Sequence, residues 1–209
     1  MNDVLTVVEL CTTKVAVADH GVKITTHCTV PVRKIIRHGD VENTRKVVEA
    51  LKEAIAKTEE ISKIKIRDVV LCLWGQYIRT SKVKISRERK RPEEFISAQE
   101  LKVLNDEALK YKVGANEKIL QAIPQSYDID PRIGVAPNEA EGMRGTRIDA
   151  YYLLVIGREN SVRDKYETLR DAGLNVIHTV VSPIGSAIAS LNDNELENGV
   201  ALLDIGAGT

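Results

Sequence analysis

Two apolar runs, one near each end of the chain, break in the same way. Leu202-Leu203-Asp204-Ile205 carries an acid and runs into Gly206-Ala207-Gly208-Thr209, and Val8-Glu9-Leu10 runs into Cys11-Thr12-Thr13-Lys14. In each, a buried strand is expected to deliver one carboxylate to a turn whose free backbone N–H groups can wrap an anion. Facing each other, two such turns would clamp one set of phosphates. Lys14 and the turn N–H groups would take the negative charge. Glu9 and Asp204 would face Mg²⁺ through its water shell, which that ion gives up reluctantly. Taken singly, each segment is also what an ordinary core strand with a turn after it looks like.

Composition narrows the partners. The 209 residues include 30 basic and 30 acidic side chains, so no global charge argues for nucleic acid or an anionic membrane. Hydrophobic residues make up 43% of the chain, enough for a sizeable core. No run of apolar residues reaches bilayer-spanning length, and Met1-Asn2-Asp3 provides no basic n-region of a secretory signal. Cys11, Cys28 and Cys72 are widely spaced and form no CxxC, which fits free thiols in a reducing cytosol.

The order of patterns suggests one domain with a second inserted into it. Val4–Leu10, Lys14–Ala18 and Val22–Val30 read as an antiparallel meander, with a turn permitted by Gly21. A helix capped by Asn43 follows, with Val47, Val48, Leu51, Ala54 and Ile55 on one stripe. Asp68–Trp74 reads as a strand covered on both faces.

The texture then changes. A strand around Lys82–Ile85 and a charged loop, Arg87–Pro92, precede a helix opened by the capping box Ser97-Ala98-Gln99-Glu100, with Leu101, Leu104, Ala108 and Tyr111 apolar. Glu117–Asp130 reads as a strand whose Pro124 calls for an edge or a bulge. A long loop over 131–145 and a strand over Arg147–Gly157 complete the unit.

Afterwards the pattern is α/β. A helix starts in capping-box fashion at Ser161 and stops at Gly173, and Asn175–Val181 is a strand. A helix is N-capped by Ser182 with Pro183 at N1, Asn192-Asp193-Asn194 breaks it, and Val200–Ile205 is the strand that feeds the last turn.

Other features carry less. Arg87–Arg91 lacks interleaved aromatics and reads as a solvated loop. His20, His27, Cys28 and His38 match no zinc spacing. Asp128 and Asp130 share one strand face beside a Pro-rich loop and read as surface. No nucleophile–base arrangement stands out, so no catalytic residue is assigned.

Val8–Val15 and Leu203–Thr209 together resemble the first and second phosphate motifs of the actin-like ATPase superfamily. Within it the chain resembles the FtsA family of bacterial cell-division proteins. The segments that carry this are Gly39–Asn43, Ile123–Tyr127, Gly142–Gly145, Ala172–Leu174 and Ser182–Ala187.

The resemblance implies an actin-like (ribonuclease H-like) α/β fold with a mixed sheet. Residues 1–80 and 160–209 would form subdomain 1A, interrupted by an α+β strand–helix–strand–strand subdomain, 1C, over 81–159. It also implies ATP and Mg²⁺ as cofactors in the full-length form. Thr12, Thr13 and Lys14 would contact the inner phosphates, Gly206, Ala207, Gly208 and Thr209 the terminal one, and Glu9 and Asp204 the metal. The family polymerises, tethers FtsZ filaments to the inner membrane through a C-terminal amphipathic helix, and recruits later division proteins. That helix is absent here, and the sequence is expected to be a fragment, itself soluble and cytoplasmic, of a protein that works at the division site.

Two departures bear on activity. In most relatives the first motif runs Asp-(Ile/Leu)-Gly-(Ser/Thr), where this chain has Glu9 and Cys11. Glu reaches about one methylene further, and Cys11 places a side chain where backbone should approach phosphate. Weak ATPase activity at most is expected. The alternatives are a pilus-assembly relative of the PilM kind acting as a peptide-binding module, and a sugar kinase of the same superfamily.

Overall fold

The computed structural model describes residues 5–12, 14–20 and 24–206. In chain order the elements are β1 (Leu5–Leu10), β2 (Lys14–His20), β3 (Ile24–Pro31), β4 (Ile36–Arg37), β5 (Asp40–Val41), α1 (Thr44–Ser62), β6 (Asp68–Leu73), β7 (Ile78–Glu88), α2 (Ala98–Ala108), β8 (Glu117–Ile129), β9 (Arg132–Val135), β10 (Arg147–Arg158), α3 (Glu159–Asp171), β11 (Asn175–Val181), α4 (Ser182–Ser190) and α5 (Asp193–Asn198). The chain divides into two compact units, Met1–Tyr77 with Asn160–Thr209, and Ile78–Glu159.

The first unit is built on a mixed sheet in the order β11-β6-β1-β2-β3. β1, β2 and β3 form the expected meander, Leu10 facing Val15 across the first turn. β6 runs parallel to both β1 and β11, which hairpins alone cannot achieve. Alternation along the strands buries Val8, Leu10, Val15, Val17, Cys28 and Val30. Helix α1 lies against β2 and β3 and buries Val47, Leu51 and Ala54 from its predicted stripe. Each such aliphatic side chain contributes roughly 1.5–3 kcal/mol.

Asn43 caps α1 as read, its carboxamide oxygen accepting from Lys46 N at 3.0 Å. Asn43→Ala is expected to lower stability by about 1 kcal/mol, measurable by urea unfolding.

Features of this unit lie outside what the sequence suggested. The β4–β5 hairpin turns through His38 and Gly39, both at positive φ, and is fastened by Gln76 N donating to His38 O. Gly39 and Gly75 cross there so closely that a Cβ on Gly75 would lie 2.6 Å from His38 O and 2.9 Å from Gly39 Cα. Helix α3 begins at Glu159, ahead of the predicted start, because β10 runs straight into it; Ser161 is therefore an interior, buried residue and not a cap. Gly173, at φ 88, ends that helix as read, and Leu174 N returns to Leu169 O. Lys165 is fully buried on α3, its Nζ 4.2 Å from the Tyr77 ring centre and 3.4 Å from Ser161 O.

The end of the first unit corrects the sequence reading most. Val181 is the N-cap of α4, and Ser182 is its first helical residue with no capping hydrogen bond. Asn192 does not merely break a helix: it caps α5 through a full capping box with Glu195. Residues 201–206 form no strand, and Leu203 and Ile205 are 80% and 85% exposed. A strand needs a neighbour to take its N–H and C=O groups, and no described strand borders this segment. No residue of α4 is buried, and Ile188 is among its exposed side chains.

The second unit is a four-stranded sheet in the order β7-β10-β8-β9, with α2 against it. Its core joins Leu104 and Ala108 of α2 to Ala122, Tyr127 and Ile129 of β8 and Ile148, Tyr152 and Leu154 of β10. Pro124 sits at a bulge, where the register with β10 skips between Tyr151 and Tyr152, beyond the stretch that β9 pairs. The predicted loop over 131–145 contains β9, which Gly134 N ties to Asp128 Oδ1 at 2.8 Å. Asp128 also accepts from Tyr151 OH at 2.9 Å, so it braces the sheet.

The Arg87–Arg91 run is not merely a solvated loop. Arg89 is 3% exposed and spends its guanidinium on both carboxylate oxygens of Glu100 (2.8 and 3.2 Å) and on the carbonyls of Pro92, Glu94 and Gly145. The Ser97–Glu100 capping box is consequently half-made: Ser97 Oγ accepts from Glu100 N, while the Glu100 carboxylate turns to Arg89.

Candidate functional site

β1 carries Glu9 to the point where the sheet ends. Its register partners are Ala16 on β2 and Cys72 on β6, and its side chain is half-buried. Ser182 Oγ, at the start of α4, donates to Glu9 Oε1 at 3.0 Å. Trp74 Nε1 donates to Leu10 O at 2.7 Å and fixes the exit of β1. Burial, with the Glu9 carboxylate and its hydrogen bond next in importance, pushes the Cys11 thiol up to about 12. Burial and the same carboxylate push Cys72 up to about 11. Both thiols are therefore protonated and unreactive near neutral pH.

The turn itself is closed by Cys11 N donating to Lys14 O at 2.9 Å, so this N–H is not free for an anion. Cys11 is absent from the non-glycine residues at positive φ among those described, and its Cβ forces no backbone strain there. Thr12 Oγ1 is buried without a hydrogen-bond partner among the described residues. An orphaned hydroxyl of this kind costs about 1–3 kcal/mol, which a ligand oxygen would offset. Lys14 is exposed at the head of β2.

At the other end, Ser186 Oγ donates to Asp204 Oδ2 at 2.9 Å. Gly206 is exposed and irregular, whereas Thr13, Ala207, Gly208 and Thr209 lie outside the described residues. The two acids proposed for the metal thus rest on one helix. Ser182 and Ser186 are four residues apart and share a face of α4, about 6 Å along its axis. Sequence reading missed both serines; the Ser-x-x-x-Ser spacing was visible, but Ser182 resembled an N-cap, which hid its other use.

Two carboxylates, a buried hydroxyl without a partner among the described residues and an exposed lysine are hard oxygen ligands and anion partners of the kind that Mg²⁺ and phosphate use, so these residues fit the implied group.

Comparison with known proteins shows what the chain is similar to. Residues 75–156 match the family described as the SHS2 domain inserted in FtsA. The cell division protein FtsA of Neisseria meningitidis is 28% identical over 174 residues, covering 83% of this chain and 41% of that protein. FtsA of Escherichia coli K12 is 27% identical over 175 residues, covering 82% and 40%. FtsA of Streptococcus pneumoniae is 25% identical, covering 84% and 38%. The chain therefore spans about two fifths of the length of the curated relatives it matches.

Among solved structures, the PilM-PilN type IV pilus biogenesis complex matches with a TM-score of 0.59 at 14% identity, over 88% of this chain and 49% of that one. That likeness shows the fold alone, a mixed α/β architecture. Residues 75–156 are thus similar to the SHS2 domain inserted in FtsA, and about four fifths of the chain is similar to FtsA cell-division proteins.

Proposed function

We propose that the full-length protein binds Mg²⁺-ATP between the Glu9–Lys14 turn and the Asp204–Thr209 turn, and that it works as an FtsA-like adaptor. In this reading it polymerises, tethers FtsZ filaments to the inner membrane and recruits later division proteins at the cytoplasmic face of the division site. Residues 1–80 with 160–209 would serve as subdomain 1A and residues 81–159 as subdomain 1C.

The observation that carries the nucleotide reading is that both candidate acids, from opposite ends of the chain, rest on serines one turn apart on α4. Bound Mg²⁺-ATP would supply a polyphosphate with its charge partly neutralised by the metal. Glu9 and Asp204 would hold the metal's waters, Thr12 and Lys14 the inner phosphates, with Thr13 beside them, and Gly206 through Thr209 the terminal phosphate. Hydrolysis is expected to be slow, since no side chain of the site is assigned as a base.

Titration of the full-length protein with ATP and Mg²⁺ tests this beside Cys11→Gly. The wild type should bind, and the glycine variant should bind several-fold more tightly because the turn backbone can approach phosphate. Failure of both to bind would remove the clamp. A pull-down with FtsZ tests the adaptor role. The likeness to the PilM-PilN complex makes capture of a pilus-type peptide, without FtsZ, the alternative outcome.

A further inference from the structure

We infer that Ser182 and Ser186 of α4 are the positioning residues of the metal site, holding Glu9 and Asp204 at a fixed spacing before any ligand arrives. The inference rests on the nucleotide reading above. A carboxylate offers about four lone-pair sites, so one hydroxyl hydrogen bond leaves room for the waters around a metal ion. It does fix which way the remaining lone pairs point. Ser182 holds Glu9 at 3.0 Å on a residue embedded in the sheet between β2 and β6. Ser186 holds Asp204 at 2.9 Å on a segment with no secondary structure of its own.

The two bonds therefore differ in consequence. Glu9 is already placed by its strand, and Ser182 only sets its side chain. Asp204 belongs to an exposed, irregular stretch, and the Ser186 hydroxyl gives its carboxylate a defined address. Because the serines share one helix, the distance between the acids is set by a rigid four-residue span and not by two independent loops. Neither serine's hydroxyl caps α4, which has no side-chain cap, so both are spent on the acids. Partners that orient a metal's ligands characteristically cost about 10–100-fold in metal affinity when removed.

The test uses the full-length protein and compares wild type with Ser182→Ala, Ser186→Ala, and the hydroxyl-retaining Ser182→Thr and Ser186→Thr. Calorimetric titration with ATP is run with Mg²⁺ and again with EDTA, and thermal midpoints are measured without nucleotide. Ser186→Ala should weaken Mg²⁺-dependent binding by about tenfold, and Ser182→Ala by less. Binding in EDTA should stay unchanged, the midpoint should fall by no more than several degrees, and the threonine variants should restore the Mg²⁺ increment. Equal loss with and without Mg²⁺, or alanine variants that bind as the wild type does, would overturn the positioning role and leave the nucleotide site standing. A wild type that binds no Mg²⁺-ATP overturns both.

Discussion

Arg89→Ala is expected to destabilise the second unit by about 3 kcal/mol, since it removes an enclosed guanidinium from a partly buried carboxylate and three carbonyls. The side chain is almost completely enclosed, and its loss leaves the Glu100 carboxylate and the carbonyls of Pro92, Glu94 and Gly145 without their common donor. Arg89→Lys keeps the charge but cannot supply a forked pair, so it should recover only part of the loss. Amide hydrogen exchange across β8 and β10 reads the effect directly, because exposed loops would not report it.

The pair also has a pH signature. Hydrogen bonding to Arg89 holds the Glu100 carboxyl below its ordinary value of 4.5. Its contribution is present above that value and is lost as pH falls through the depressed one. Arg89→Ala should lack this acid-dependent increment. An alanine variant whose amides exchange as slowly as those of the wild type would refute the assignment.

Lys165→Met is expected to act in the opposite direction, raising stability by about 2–3 kcal/mol at neutral pH. Burial pushes the Lys165 ammonium down to about 8, although the carboxylates of Asp40 and Asp164 pull it up. Against its ordinary value of 10.5, that shift corresponds to roughly 3 kcal/mol of penalty. Below about pH 8 both folded and unfolded chains carry the proton, and the penalty is full and constant. Between about 8 and 10.5 the unfolded chain holds more proton than the folded one, so stability rises with pH. Methionine keeps the aliphatic length against Tyr77 and removes the charge. Urea unfolding from pH 7 to pH 11 should show the variant's advantage over the wild type shrinking between about 8 and 10.5, since the loss that the Cys11 and Cys72 thiols bring at high pH is common to both. A methionine variant less stable than the wild type would mean that the ammonium's contacts with Tyr77 and Ser161 outweigh its desolvation.

These residues also show where reading the sequence stopped. Asn43, the Leu10–Val15 turn, Pro124 and Gly173 were legible because each acts within a few positions of itself. Arg89 was not, since its meaning lies in Glu100 and Gly145, which only the fold brings to it. Lys165 occupies the same helical face as Val162 and Leu169, but a charged side chain is rarely enclosed, so the periodicity alone did not single it out. Val200–Ile205 has a strand's composition, yet composition supplies no neighbouring ladder. The candidate site divided along the same line. Glu9 and Asp204 stood out by type and spacing, while Ser182 and Ser186, which bring them to one helix, did not.

The meeting of Gly39 with Gly75 has a bearing on how such a chain can drift over generations. A methyl on either residue strikes main-chain atoms of the other's segment, and main-chain atoms have no smaller substitute. No compensating change at the facing position makes room. The two sites are therefore locked separately and permanently, whereas most packed pairs can exchange bulk between them. Variation in the His38–Asp40 turn is left to its flanks, and the route by which the chain leaves β6 is inherited unaltered.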